Sequence, residues 1–67
     1  MVNTSKLQGV MRENGHTVKS LAEALGLSLS GLHNKIHNKR EFLTSEVATI
    51  GKLLNLEWTD VVNIFFA

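Results

Sequence analysis

Thr17-Val18-Lys19-Ser20-Leu21-Ala22-Glu23-Ala24-Leu25-Gly26-Leu27-Ser28-Leu29-Ser30-Gly31-Leu32 is the stretch whose reading decides the fold of this chain. In its first half Val18, Leu21, Ala22 and Leu25 fall at i, i+3, i+4 and i+7, the apolar stripe of one helix face. Thr17 stands where an N-cap hydroxyl belongs and Gly26 where a helix-ending glycine belongs. Ser28 is placed to cap a second helix running to about Asn38, with Leu32 and Ile36 on its inner stripe. Only Gly26, Leu27 and Ser28 separate the two helices, too few for a loose loop and enough for a sharp corner. Ala22 is small where the helices approach, and Leu21, Leu25, Leu27 and Leu32 bury the corner. Gly26 takes the left-handed turn without steric penalty. A helix-turn-helix over residues 17–38 is the expectation.

Outward from this motif the same punctuation repeats. Ser5 to about Glu13 forms a first helix with Leu7, Val10 and Met11 inward, capped by Thr4 or Ser5 and stopped by Asn14-Gly15. Thr44 or Ser45 opens a fourth with Val47, Ile50 and Leu54 inward, ending near Asn55. A fifth, about Trp58 to Phe66, stripes Trp58, Val61, Val62 and Phe65. No strand alternation persists over five residues, and neither a repeat nor a low-complexity linker divides the chain. The expected fold class is all-α: five helices in one compact domain over residues 1–67.

Composition narrows the function. A chain of 67 residues buries only about 60 % of its unfolded surface, which leaves little room for a large catalytic cleft. With no cysteine there is no disulfide, thiolate nucleophile or thiolate zinc site, and a reducing compartment fits. No apolar run approaches the roughly 18 residues that span a bilayer, so a soluble chain without membrane contact is expected. The start, Met1-Val2-Asn3-Thr4-Ser5-Lys6, lacks the charged-then-apolar order of a secretion signal, which places the chain in the cytoplasm. Neither an ordered Ser-His-Asp constellation nor a glycine-rich phosphate loop is legible, so no enzyme and no cofactor is expected. His33 and His37 stand at i, i+4, a spacing that suits zinc. Without the metalloprotease glutamate or an obvious third ligand, no metal site is assigned.

A net charge of +1 conceals an asymmetry. Residues 14–40 carry Lys19, Lys35, Lys39 and Arg40 against Glu23 alone, a net +3. Residues 41–67 carry Lys52 against Glu41, Glu46, Glu57 and Asp60, a net −3. One basic face and one acidic face are the footprint of a small nucleic-acid binder.

The stretch quoted above resembles the helix-turn-helix of phage Cro proteins and repressors, the XRE-like family, whose most recognisable core is Leu21-Ala22 followed by Leu25-Gly26 in this numbering. Asn34-Lys35-Ile36-His37-Asn38-Lys39-Arg40 is similar to that family's polar loop after the recognition helix. The resemblance implies a five-helix, lambda-repressor-like fold and a dimeric transcription regulator that occupies a DNA operator and obstructs polymerase. Two positions depart from the pattern. Val18 stands where the family often has glutamine for a phosphate contact, and Lys35 where it usually has an apolar residue, here moved to Ile36. The second departure suggests a rotated or extended recognition helix.

At about 100° per residue, with Leu32 at zero, Ile36 lies near 40° and Leu29 near 60°, at the core or its margin. His33 near 100°, His37 near 140°, Ser30 near 160° and Asn34 near 200° form the side that would enter a groove. Asn34 is the leading base reader, since its amide can pair with adenine N6 and N7. Ser30 can donate or accept, Leu29 can touch a thymine methyl, and His33 and His37 complete the base-contacting set. Phosphate contacts are expected from Ser28 at a helix start, from Thr17 and Lys19 on the preceding helix, and from Asn38, Lys39 and Arg40 beyond the second.

The last helix carries more apolar side chains than one face can bury. Trp58, Val61, Val62, Phe65 and Phe66 are therefore assigned to an interface, with a homodimer as the first reading. The alternative is a modulator or antirepressor that docks on another repressor through its helix-turn-helix surface or apolar tail.

Overall fold

The structure, a computed structural model, describes residues 1–66; Ala67, counted in the expected domain, lies outside them. The chain forms α1 (Thr4–Glu13), α2 (Val18–Leu25), α3 (Leu29–Ile36), α4 (Thr44–Leu53) and α5 (Trp58–Phe65). No strand occurs among the described residues, and no helix there is long and apolar enough to cross a membrane. The described residues are all-α, in five short helices.

Each of the first four helices ends in the same way. A residue with left-handed backbone follows it: Gly15 (φ 72°), Gly26 (φ 69°), Asn38 (φ 64°) and Asn55 (φ 53°). The next N–H then reaches back five residues to a helix carbonyl: His16 to Met11 at 2.8 Å, Leu27 to Ala22 at 2.9 Å, Lys39 to Asn34 at 2.8 Å and Leu56 to Gly51 at 2.9 Å. These are Schellman closures, and they explain why glycine or asparagine recurs at these places. Gly26→Ala forces a β-carbon into this geometry and is expected to cost about 1 to 2 kcal/mol, read as a lowered urea midpoint with unchanged slope.

The helix starts agree with expectation at α2, α3 and α4 and need a correction at α1. Thr17 and Ser20 cap α2 reciprocally, each backbone N–H bonding the other's hydroxyl at 3.0 Å, and Ser28 accepts from the Gly31 N–H at 3.0 Å to cap α3. For α1 the cap is Asn3, whose side chain accepts from the Lys6 N–H at 3.2 Å, rather than Thr4 or Ser5. Thr4 instead donates its hydroxyl to the Ile36 carbonyl at the end of α3, 2.7 Å away. Helix α4 opens at Thr44, as expected, with Leu43 as its N-cap; the Glu46 carboxylate reaches back to the Leu43 N–H at 2.8 Å.

Leu7, Met11, Leu21, Ala22, Leu32, Ile36, Ile50, Leu54, Val61, Ile64 and Phe65 form one buried core. Within it α2 packs on α3 and α4, and α5 packs on α1 and α4. The expected stripe of α5 needs correcting: Ile64 is fully buried and Trp58 is 73 % exposed, so the inward line is Val61, Ile64 and Phe65. Trp58, first in α5, stands exposed at the start of the helix.

Candidate nucleic-acid interface

Leu32 and Ile36 anchor α3 by burying completely, which leaves its opposite side to solvent. Ser30, His33 and His37 are exposed on that side, as the wheel places them, and Asn34 is half-buried beside them. Leu29, expected at the core margin, is 56 % exposed. It is the first residue of α3. His33 and His37 bring their rings to 4.3 Å between centroids, a tilted contact across one turn. Among the described residues no group of three or more possible metal ligands forms around them.

Helix α3 is not extended: it stops at Ile36, with His37 as its C-cap, two residues short of the expected Asn38. Near its end Lys35 meets a partner from α4. The Lys35 ammonium lies 2.6 and 2.8 Å from the two Glu46 oxygens, with both side chains almost withdrawn from solvent, 12 % and 10 % exposed. Burial pushes the Glu46 carboxyl up, but the Lys35 ammonium and the Leu43 N–H outweigh it and hold the group below the ordinary glutamate value. A charge pair thus joins α3 to α4, and Lys35 is withdrawn from the basic face. Sequence reasoning missed this pair. The available signals were the lysine at an apolar place and a glutamate three residues beyond Leu43, the N-cap of α4.

The remaining cations on this side are exposed. Lys19 projects from α2, and Lys39 and Arg40 follow α3 directly, their N–H groups both bonding the Asn34 carbonyl, at 2.8 and 3.3 Å. Ser28, Gly31, Lys39 and Arg40 line a depression beside the start of α3 whose wall also includes Lys35 and the acidic Glu41, so three of the expected phosphate contacts border it together with a carboxylate. A β-carbon on Gly31 would come within 2.9 Å of the Ser28 hydroxyl oxygen, so the glycine keeps room for that cap. The Thr17 and Ser28 hydroxyls accept from backbone as caps and retain their protons to donate outward.

Asn38 departs from its expected role. Its side chain accepts from the Val2 N–H at 2.7 Å and donates to the Val2 carbonyl at 3.0 Å, so its amide faces the chain's own N-terminal segment. Among the residues assigned to an interface, Val61 and Phe65 belong to the core, the latter edge-on to Phe42 at 5.4 Å and 85°. Trp58 and Phe66 are exposed and Val62 half-buried. With Phe42, Val47, Gly51 and Leu56, Trp58 and Phe66 border a depression between α4 and α5, whose wall does not include Val62.

The chain belongs to the family described as Protein of unknown function (DUF739), whose model matches residues 1–67. No curated protein and no solved structure matches it.

Proposed function

We propose that this member of the DUF739 family is a sequence-specific, non-enzymatic regulator that binds double-stranded DNA, with α2 and α3 acting as a helix-turn-helix. The observation that carries this reading is one surface: the solvent-facing side of α3, bearing Leu29, Ser30, His33, Asn34 and His37, flanked by exposed Lys19, Lys39 and Arg40. Polar side chains that can read base edges stand between cations that can hold phosphates, the division of labour a groove-binding helix needs. In this reading α3 enters the major groove and the chain occupies an operator as a repressor of the Cro type, acting inside the cell.

A homodimer would set two such helices about 34 Å apart on one face of the duplex and double a weak contact. Its interface is assigned to Trp58, Phe66 and the exposed edge of Val62. Selection from randomised duplex DNA near physiological salt tests the whole reading, and it is expected to enrich a site with two-fold symmetry. Failure to enrich any sequence, with the protein shown folded, overturns it.

Single variants separate the two kinds of contact. Asn34→Ala is expected to cost about 1 to 3 kcal/mol at one base position and relax preference there. Equal weakening on all sequences would remove Asn34 from the base readers. Lys39→Ala is expected to weaken every sequence alike and reduce the salt slope by about 1.

The exposure of Trp58 and Phe66 also favours a second reading, in which the chain modulates another repressor by protein contact. That reading requires a stable complex with the partner and a flat salt dependence on duplex DNA, where the first requires a steep one.

A further inference from the structure

Residues Val2, Asn3 and Thr4 form a strap that joins the ends of two helices. The Asn3 N–H donates to the Ile64 carbonyl near the end of α5 at 2.6 Å, and the Thr4 hydroxyl donates to the Ile36 carbonyl, the last of α3, at 2.7 Å. Asn38 completes the strap with its two bonds to the main chain of Val2, 2.7 and 3.0 Å long. Four hydrogen bonds therefore converge from a three-residue segment on α5, α3 and the turn behind α3.

Backbone geometry admits either glycine or asparagine at position 38. With φ at 64° glycine would fit the turn with less strain, as at Gly15 and Gly26. What asparagine adds is the amide, and this amide is engaged at both ends by one residue far away in sequence. The residues that follow it directly are Lys39 and Arg40, whose N–H groups close on the Asn34 carbonyl.

We infer that Asn38 is a positioning residue: its amide, latched to Val2, holds the turn that presents Lys39 and Arg40 beside α3. The inference rests on the DNA-binding reading above and deepens it, because it assigns the phosphate contact to the two cations and only their placement to Asn38. It also gives the N-terminal segment a task, since the strap that fixes this turn is anchored on α5 as well.

The test uses two variants and two measurements. Asn38→Gly keeps the left-handed turn and deletes the latch, while Val2→Pro removes the Val2 N–H from the other side of the same contact. Amide hydrogen exchange followed by NMR reports the turn in the absence of DNA, and the salt dependence of duplex binding reports the phosphate contacts. In Asn38→Gly, helical content is expected to be unchanged and the Lys39 and Arg40 amides to exchange at rates approaching an unstructured chain. The salt slope is expected to fall by about 1 to 2, one for each cation released. Val2→Pro is expected to move both readouts the same way, and the double variant to lose nothing further.

Unchanged exchange at Lys39 and Arg40 in both variants overturns the inference, whatever DNA binding does. Losses of affinity that add in the double variant overturn it too, since they would mean that Asn38 touches phosphate directly. Should the unaltered chain not bind duplex DNA, the functional reading and the positioning role fall together, and the exchange data still show whether the latch orders the turn.

Discussion

Replacing Glu46 with alanine is expected to destabilise the chain by about 3 kcal/mol, a loss close to the whole stability a domain of this size can have. Two consequences of the same carboxylate combine. Its removal leaves the Lys35 ammonium without its partner in a site where that side chain is 12 % exposed, and it strips the Leu43 N–H at the start of α4 of its acceptor. Removing one member of a withdrawn pair is costly because the other keeps its desolvation penalty and loses its compensation. The double replacement Lys35→Met with Glu46→Gln is therefore expected to recover most of the loss. Methionine fills the volume of the lysine stem, and glutamine keeps an acceptor for Leu43. Urea midpoints of the single and double variants measure both effects, and a double variant no better than Glu46→Ala would contradict the account.

The same pair sets a pH dependence whose sign follows from the Glu46 shift. The folded state holds this carboxyl below its ordinary value, so the unfolded chain takes up the proton first as the solution is acidified. The stabilisation is complete above the ordinary glutamate range and is lost as the pH falls through the lowered folded-state value. Against Lys35→Met with Glu46→Gln as reference, the unaltered chain should lose stability more steeply on acidification. Parallel curves would remove Glu46 as the source.

Phe65→Ala and Phe66→Ala are expected to differ by about 3 to 5 kcal/mol although they are neighbours in sequence. Phe65 is 5 % exposed and meets Phe42 edge-on, so its truncation opens a cavity between α5 and the segment that leads into α4. Phe66 is 62 % exposed, and its loss should change the stability of the single chain by no more than about 0.5 kcal/mol. If Phe66 and Trp58 form the proposed interface, truncating them lowers the association constant seen by sedimentation while leaving the unfolding of the dissociated chain unchanged. A Phe65→Ala variant that unfolds like the parent but no longer self-associates would restore Phe65 to the interface and contradict the packing described here.

The legible parts of this protein are those decided by neighbours in sequence. Gly26, the Thr17 and Ser28 caps and the i, i+3, i+4 spacing of Leu21, Ala22, Leu32 and Ile36 are local rules, and the structure follows them. The positions of Ser30 and His33 on the outer side of α3 follow from helical pitch once Leu32 is taken as buried. Reading failed at the start of α1 and for contacts between distant residues. Asn3 is the better cap by type, and the approach of the Ile36 carbonyl gives the Thr4 hydroxyl another partner. Lys35 counts as one more surface cation until α4 brings Glu46 to it across eleven residues. Asn38 looks like any polar residue beyond a helix until Val2, thirty-six residues earlier, meets its amide.

Five helices, their order and the inner face of α3 were thus determined by the sequence alone, because pitch, capping and left-handed turns act within a few residues. The tertiary structure decided which cations stay free, which aromatics of α5 are core, and which amide is already engaged. Burial and pairing depend on what a side chain meets from another element, and no local pattern encodes that meeting.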